Sequence, residues 1–246
     1  MTSTAARIGI IGSAGRMGQA LVQAIAQAGH ELSGGVERGE DVQRLADVSD
    51  ALVDFSAPGA LKDNLHAAIG GGIPILVGTT GLDASHHEAI DNAARVVPVL
   101  QTGNTSLGVT LLAHLVHEAA ARLGPDWDIE IVEMHHRMKV DAPSGTALLL
   151  GEAAASGRGI DLAEHIESGR HGHTGARAQG AIGFAALRGG TVAGEHMVHF
   201  AGEHERITLT HTAENRMIFA TGAVKGAEWL IGREAGRYTM GQVLGL

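Results

Sequence analysis

The sequence predicts an α/β protein in two parts, a doubly wound parallel sheet followed by an α+β domain with an open mixed sheet. Three observations carry this. Short apolar runs alternate with helix-period stretches through the first part of the chain, strand-like runs cluster in the second, and glycine supplies 36 of the 246 residues with no repeating period. Alternation implies parallel pairing, clustering implies a mixed sheet, and such glycine content implies tight turns where backbone approaches something closely.

In order, Arg7–Ile11 reads as a buried strand that leads through a glycine-rich turn into a helix with Met17, Leu21, Val22 and Ile25 on one face, stopping at Gly29. Strands follow at Glu31–Val36, Ala51–Phe55, Pro74–Val77 and Val96–Leu100, with helices over Pro58–Ile69 and Asp83–Ala94; between Val36 and Ala51 there is room only for a small helix. A helix over Ser106–Arg122 opens the second part. Strands are expected at Ile129–Met134, Ala181–Leu187, Val192–Phe200 and Ile207–His211, with Gly189-Gly190 as a hairpin turn. The aperiodic stretch Ser156–Gly180, with several Gly, Arg and His, is expected to be a mobile loop. A last helix over Met217–Ile231 resembles those of the first part, so the predicted domains are 1–104 with 216–246, and 105–215.

Composition narrows the function. Hydrophobic residues at 44% are ample for a core, and a net charge of -9 argues against a nucleic-acid backbone as partner. The absence of Cys excludes disulfides, thiolate catalysis and cysteine-ligated metals, and fits a reducing compartment. No apolar run approaches the roughly 18 residues of a membrane span, and Met1–Arg7 has no hydrophobic signal core behind it, so a cytoplasmic protein without membrane partners is expected.

Gly12-Ser13-Ala14-Gly15-Arg16-Met17-Gly18 lies between the first strand and the first helix. Glycines there let the chain turn sharply and aim N–H groups and a helix N-terminus at a pyrophosphate. The spacing G-x-x-G-x-x-G is one residue longer than the usual first gap, but Glu37 follows at the end of the second strand, where a carboxylate can accept both ribose hydroxyls of an adenosine. A Rossmann-like dinucleotide site is the reading; a tight turn with a solvated acid is the alternative. Arg38 could meet a 2'-phosphate or simply face solvent, and Gly78-Thr79-Thr80-Gly81 lies where such sheets bind ligands, so its small residues could border a nicotinamide.

The segment from Glu133 to Thr146 is the most informative. It leaves a strand through His135-His136 and Lys139, passes Pro143, and enters a helix at Ser144-Gly145-Thr146, so hydroxyls and N–H groups converge at a positive helix end. That pattern suits an anionic, carboxylate-bearing substrate, with imidazoles and an ammonium able to move protons. A metal site is a poorer reading: adjacent histidines on a strand face opposite ways, and no helical His pair or Cys partner accompanies them, so none is expected. His196, His199, His204 and His211 read as satisfied or solvent-facing strand residues, and His86 and His87 as the polar start of a helix.

Gly12–Gly18, Val53-Asp54-Phe55-Ser56, Gly78–Gly81, Asn104-Thr105-Ser106, Glu133–Leu148, Ile182-Gly183-Phe184, Arg188-Gly189-Gly190, Gly194-Glu195-His196 and Tyr238-Thr239-Met240 together resemble the dihydrodipicolinate reductase family, from end to end. The resemblance implies NADH- or NADPH-dependent reduction of a cyclic imino dicarboxylate, with loss of water, in the diaminopimelate route of lysine biosynthesis. It implies His135 as proton donor or acceptor, Lys139 as general acid, and His136, Gly145 and Thr146 as substrate groups, beside Ser144 from the helix-end reading above. Nucleotide contacts are implied at Gly12, Ser13, Ala14, Gly15, Arg16, Met17, Glu37, Arg38, Gly78, Thr79, Thr80, Thr102, Gly103, Asn104 and Thr105, and assembly as a homotetramer through the central sheet. Met138 stands where the family often has a third histidine, and Thr102-Gly103 replaces an alanine-rich pair. The competing readings are another nicotinamide oxidoreductase of the same plan, a nucleotide-sensing binding protein and a metal-dependent hydrolase. Because the nicotinamide and carboxylate sites fall on different predicted domains, substrate is expected to close the protein about hinges near Gly103–Thr105 and Asn215–Arg216.

Overall fold

The computed structural model describes residues 5–246, and the chain divides into two compact units, one holding the chain up to Leu107 together with Arg216–Leu246, the other Gly108–Asn215. The first is a parallel sheet of β1 (Arg7–Ile11), β2 (Glu31–Val36), β3 (Ala51–Asp54), β4 (Ile75–Val77), β5 (Pro98–Gln101) and β11 (Gly236–Tyr238), in the order β2-β1-β3-β4-β5-β11. The central strands are near-continuous apolar runs because both faces are covered. Ile8, Ile10, Val53, Leu76 and Leu100 pack on α1 (Arg16–Gln27) and α8 (Met217–Leu230), which present Leu21, Ile25, Ala223 and Ala227. On the other face Ile11, Leu52, Ile75 and Val99 meet Leu45, Leu61, Leu65 and Ile90 of α2 (Val42–Ala46), α3 (Leu61–Gly71) and α4 (Ala84–Ala94). The doubly wound, Rossmann-like architecture is therefore as expected. The strand order reverses between β1 and β3, so the carboxyl ends of those strands flank a crevice.

The second unit has α5 (Leu107–Leu123), β6 (Asp128–His135), α6 (Gly145–Arg158), α7 (Leu162–His165), β7 (Ile166–Ser168), β8 (Ile182–Arg188), β9 (Gly194–Ala201) and β10 (Arg206–Ala213). The sheet order is β10-β9-β6-β8-β7, with β6 antiparallel to β9 and parallel to β8. Along β6 buried and half-buried residues alternate strictly, the mark of a sheet packed on one face. That face carries Ile129, Ile131, Val198 and Phe200 against Leu112, Val116, Ala147, Leu150 and Ala154 of the helices.

Two expectations need correction, and two elements went unforeseen. Gly189-Gly190 is not a hairpin turn, because β8 pairs with β6 and β7 rather than β9; after β8 the chain bonds back to the end of β6 through Gly189 N–H to the His135 carbonyl (2.9 Å). Ser156–Gly180 is not one long loop: α6 continues to Arg158, Asp161 caps α7 through the Ala163 N–H, and β7 adds to the sheet beside β8. Short elements fixed by caps and edge pairing leave little periodicity to read. For the same reason β11 and α9 (Met240–Leu244) were not expected, although β11 pairs with β5 and Thr239 with Gln242 forms a capping box. Among the described residues no helix is long and apolar enough to cross a membrane.

Candidate active site

At the switch point of the first unit, Gly12 turns with φ +85° and donates its N–H to the Val36 carbonyl (2.9 Å). A Cβ at Gly18 would stand 2.3 Å from the Ser13 carbonyl oxygen, so only glycine lets α1 start this close to the loop. No side chain caps α1, and the loop demonstrates its taste for anions within the chain: the Ala14 N–H and the Ser13 hydroxyl both donate to Glu37 Oε1, at 2.5 and 3.2 Å. Beside this loop lies a cleft of about 770 Å³ bordered by Gly12, Glu37, Arg38, Ser56, Asp63 and Asn64. A second cleft of about 290 Å³ is lined by Met17, Phe55, Gly78, Thr80, Phe219 and the run Thr102–Thr105. These features fit a dinucleotide: a long cleft bordered by a carboxylate, an uncapped helix end, and a smaller cleft walled by small residues.

Underneath, Asp54 is fully buried at the end of β3 and accepts hydrogen bonds from the Ser56 N–H and hydroxyl (2.8 and 2.6 Å), Asn64 (3.0 Å) and Thr79 (3.2 Å). It ties the two loops that border the clefts, which places the Thr79 hydroxyl below the surface rather than in the cleft. The Thr105 hydroxyl likewise donates to the Phe219 carbonyl (2.6 Å), anchoring the Thr102–Thr105 run on α8.

The second unit holds a polar cluster at the end of the packed face of β6. Its alternation brings Glu133 and His135 inward, and the pairings set Arg188 beside His135 and His196 beside Glu133. His135 Nδ1 lies 2.6 Å from Glu133 Oε2, and Arg188 donates to both oxygens of the same carboxylate at 2.8 Å each. Burial opposes ionisation of Glu133, but hydrogen bonds from Arg188 and His135 outweigh it and hold the carboxyl below its usual range. The His196 ring meets His135 edge-on at 5.1 Å. Burial first, then the neighbouring His135, pushes His196 down to about 4, so it is neutral at physiological pH. Lys139, in the loop that follows, pairs with Asp141 at 2.9 Å, and this bond holds the Asp141 carboxyl below its ordinary value.

Ser144, expected among the substrate groups, caps α6 from a buried position. Its hydroxyl accepts from the Ala147 N–H (3.1 Å) and lies within hydrogen-bond distance of His196 Nε2 (3.1 Å). Gly145 is exposed, in ordinary helical backbone, and a Cβ there would meet nothing within 4 Å, so the fold itself gives no reason for glycine. The structure thus brings His135, Lys139 and the start of α6 to one end of the sheet, with His136 at the strand's exit and Thr146 in the first helical turn. Sequence reading missed Glu133, Arg188 and His196 as members of this cluster. The inward period of β6 carries the signal for Glu133, whereas Arg188 and His196 arrive through pairings with distant strands.

Residues 6–105 match the family profile described as Dihydrodipicolinate reductase, N-terminus, and residues 108–244 that described as Dihydrodipicolinate reductase, C-terminus. The chain is similar to a 4-hydroxy-tetrahydrodipicolinate reductase of Zymomonas mobilis, 56% identical with 98% of this chain and 97% of the relative covered, and to one of Rhodopseudomonas palustris, 50% identical with the same coverage. Among solved structures it resembles a dipicolinate-bound dihydrodipicolinate reductase from a Paenisporosarcina species, with TM-score 0.75, 22% identity, and coverage of 96% of this chain and 98% of the other.

Proposed function

The chain belongs to the dihydrodipicolinate reductase family, and from that premise we propose how its residues carry out the NAD(P)H-dependent reduction of 4-hydroxy-tetrahydrodipicolinate in the diaminopimelate route of lysine biosynthesis. Reduced nicotinamide supplies a hydride; with one proton it replaces the substrate hydroxyl, which leaves as water. Gly12–Met17 cradle the pyrophosphate, Glu37 and Arg38 read the adenosine ribose, and Gly78–Thr80 with Thr102–Thr105 border the nicotinamide. Lys139 Nζ delivers the proton as charge develops on the substrate. His135, its Nδ1 engaged by Glu133, gives or takes a proton through Nε2. His136, Gly145 and Thr146 hold a substrate carboxylate at the positive end of α6, where a glycine without a packing role leaves room for it.

The observation that carries this reading is the convergence of a carboxylate-oriented imidazole, an ammonium and an α-helix start at one sheet end. The enzyme works in the cytoplasm as a homotetramer assembled through the sheet face opposite α5 and α6, where Val132, Met134 and Met197 are only half-buried in the single chain. The test is to mix the protein with the condensation product of pyruvate and aspartate semialdehyde and follow nicotinamide absorbance with each cofactor. No oxidation of either cofactor would refute the proposal.

A further inference from the structure

Arg188 belongs to a motif whose place in the reaction is still unassigned. We propose that Arg188 is the positioning residue of this active site, holding His135 through Glu133 and the Lys139 loop through the Asp141 carbonyl. This rests on the roles given above to His135 and Lys139. Between the end of β6 at His135 and the start of α6 at Gly145 the chain has no regular structure, and its apolar side chains do not anchor it, for Met138 is 77% and Val140 98% exposed. It is held instead by polar contacts: the Arg137 N–H donates to the Gly190 carbonyl (3.3 Å), the Ser144 N–H to Glu133, and the Asp141 carbonyl accepts from Arg188, whose guanidinium also holds Glu133. Arg188 Nη1 and Nη2 donate to the two oxygens of Glu133, and Nη2 donates again to the Asp141 carbonyl at 2.6 Å.

Glu133 in turn engages His135 Nδ1 and accepts the Ser144 N–H at 3.1 Å, so the far end of the loop is tied to the same carboxylate. Asp141 hands the constraint on: its carbonyl is on Arg188 while its carboxylate grips Lys139 Nζ at 2.9 Å. A side chain on β8 thereby fixes both the imidazole and the ammonium. The geometry demands arginine. A planar fork matches a carboxylate with two parallel bonds and keeps an N–H for the carbonyl, whereas a lysine ammonium is a point charge on a flexible stem. The Glu133 side chain is 1% exposed, so its charge depends on that fork for compensation.

The test substitutes Arg188→Lys, which keeps the charge and loses the fork. The expected result is a kcat lower by about 100-fold, the scale of a catalytic group displaced by about an ångström, with NADH affinity by fluorescence titration unchanged and faster amide exchange over residues 137–144. In a Lys139→Ala background the same substitution should cost about tenfold or less, because one of the groups it positions is gone. A merely structural role would leave the two losses multiplicative. Wild-type kcat in Arg188→Lys, or a loss as large in the Lys139→Ala background as in the wild type, overturns the proposal. Should Arg188→Lys not fold, Glu133→Gln, which keeps the side-chain shape, is read by the same criteria. Near-normal turnover in Lys139→Ala and His135→Gln would refute the roles of those residues; impairment there with an unaffected Arg188→Lys would refute positioning alone.

Discussion

Replacing His196 by Gln should make the second unit less sensitive to acid. His196 is 4% exposed, its Nε2 is engaged by Ser144, and its Nδ1 is buried with no hydrogen-bond partner among the described residues. Burial, reinforced by His135, lowers its pKa from 6.5 to about 4. Below about 6.5 the unfolded chain takes up a proton on this ring that the folded protein refuses until about 4, so the unfolded state binds more protons and stability falls as the pH is lowered across that window. At about 1.4 kcal/mol per pH unit, the descent from 6.5 to 5 removes about 2 kcal/mol. The Glu133 contribution, whose carboxyl is held below its ordinary 4.5, is lost only at lower pH. His211, also lowered by burial, acts in the same direction in both proteins. The stability lost between pH 7 and pH 5 should therefore be smaller in His196→Gln than in the parent by about 2 kcal/mol, whatever the variant costs at pH 7. The two tryptophans, Trp127 and Trp229, fall one in each unit, so urea titrations at fixed protein concentration in a Trp229→Phe background report the second unit. Equal losses in parent and variant would show that His196 is not held neutral by burial.

Lys139→Ala and His135→Gln should each lower kcat by about 100-fold or more, the scale of a lost positioned acid or base, with NADH affinity within about twofold in fluorescence titration. Arg38→Ala should weaken NADPH by about tenfold, the value of one charge-assisted hydrogen bond, and leave NADH nearly unchanged; equal losses in calorimetric titration would mean that Arg38 does not read the 2'-phosphate. Gly18→Ala would place a Cβ 2.3 Å from the Ser13 carbonyl oxygen and 2.4 Å from that of Gly12, so the loop must shift and both cofactors should bind about tenfold more weakly. Phe200→Ala empties a fully buried site in the second unit and should cost about 3 to 5 kcal/mol in Trp127-monitored unfolding.

What could be read from the chain alone is what local pattern encodes. Ile8, Ile10 and Ile11 followed by a glycine turn and an amphipathic helix specify β1 and α1 without any distant residue, because period, turn chemistry and helix entry are properties of neighbours. The helix start at Ser144–Thr146 was legible for the same reason, as was the grouping of His135 and Lys139 within one short segment. The partners of the Ser144 hydroxyl, Ala147 N–H and His196, were not legible in the same way, since what packs against a helix cap is set by the tertiary structure.

Strand partners were decided only in three dimensions. Gly189-Gly190 has the local chemistry of a hairpin, yet β6 lies between β8 and β9, because register is chosen by which apolar faces can share the α5 and α6 layer. That choice carries Arg188 to Glu133 across 55 residues and Ser144 to His196 across 52. An ion pair of that separation leaves no periodic trace in a sequence. It exists because pairing β8 beside β6 sets a guanidinium from the neighbouring strand against a buried carboxylate.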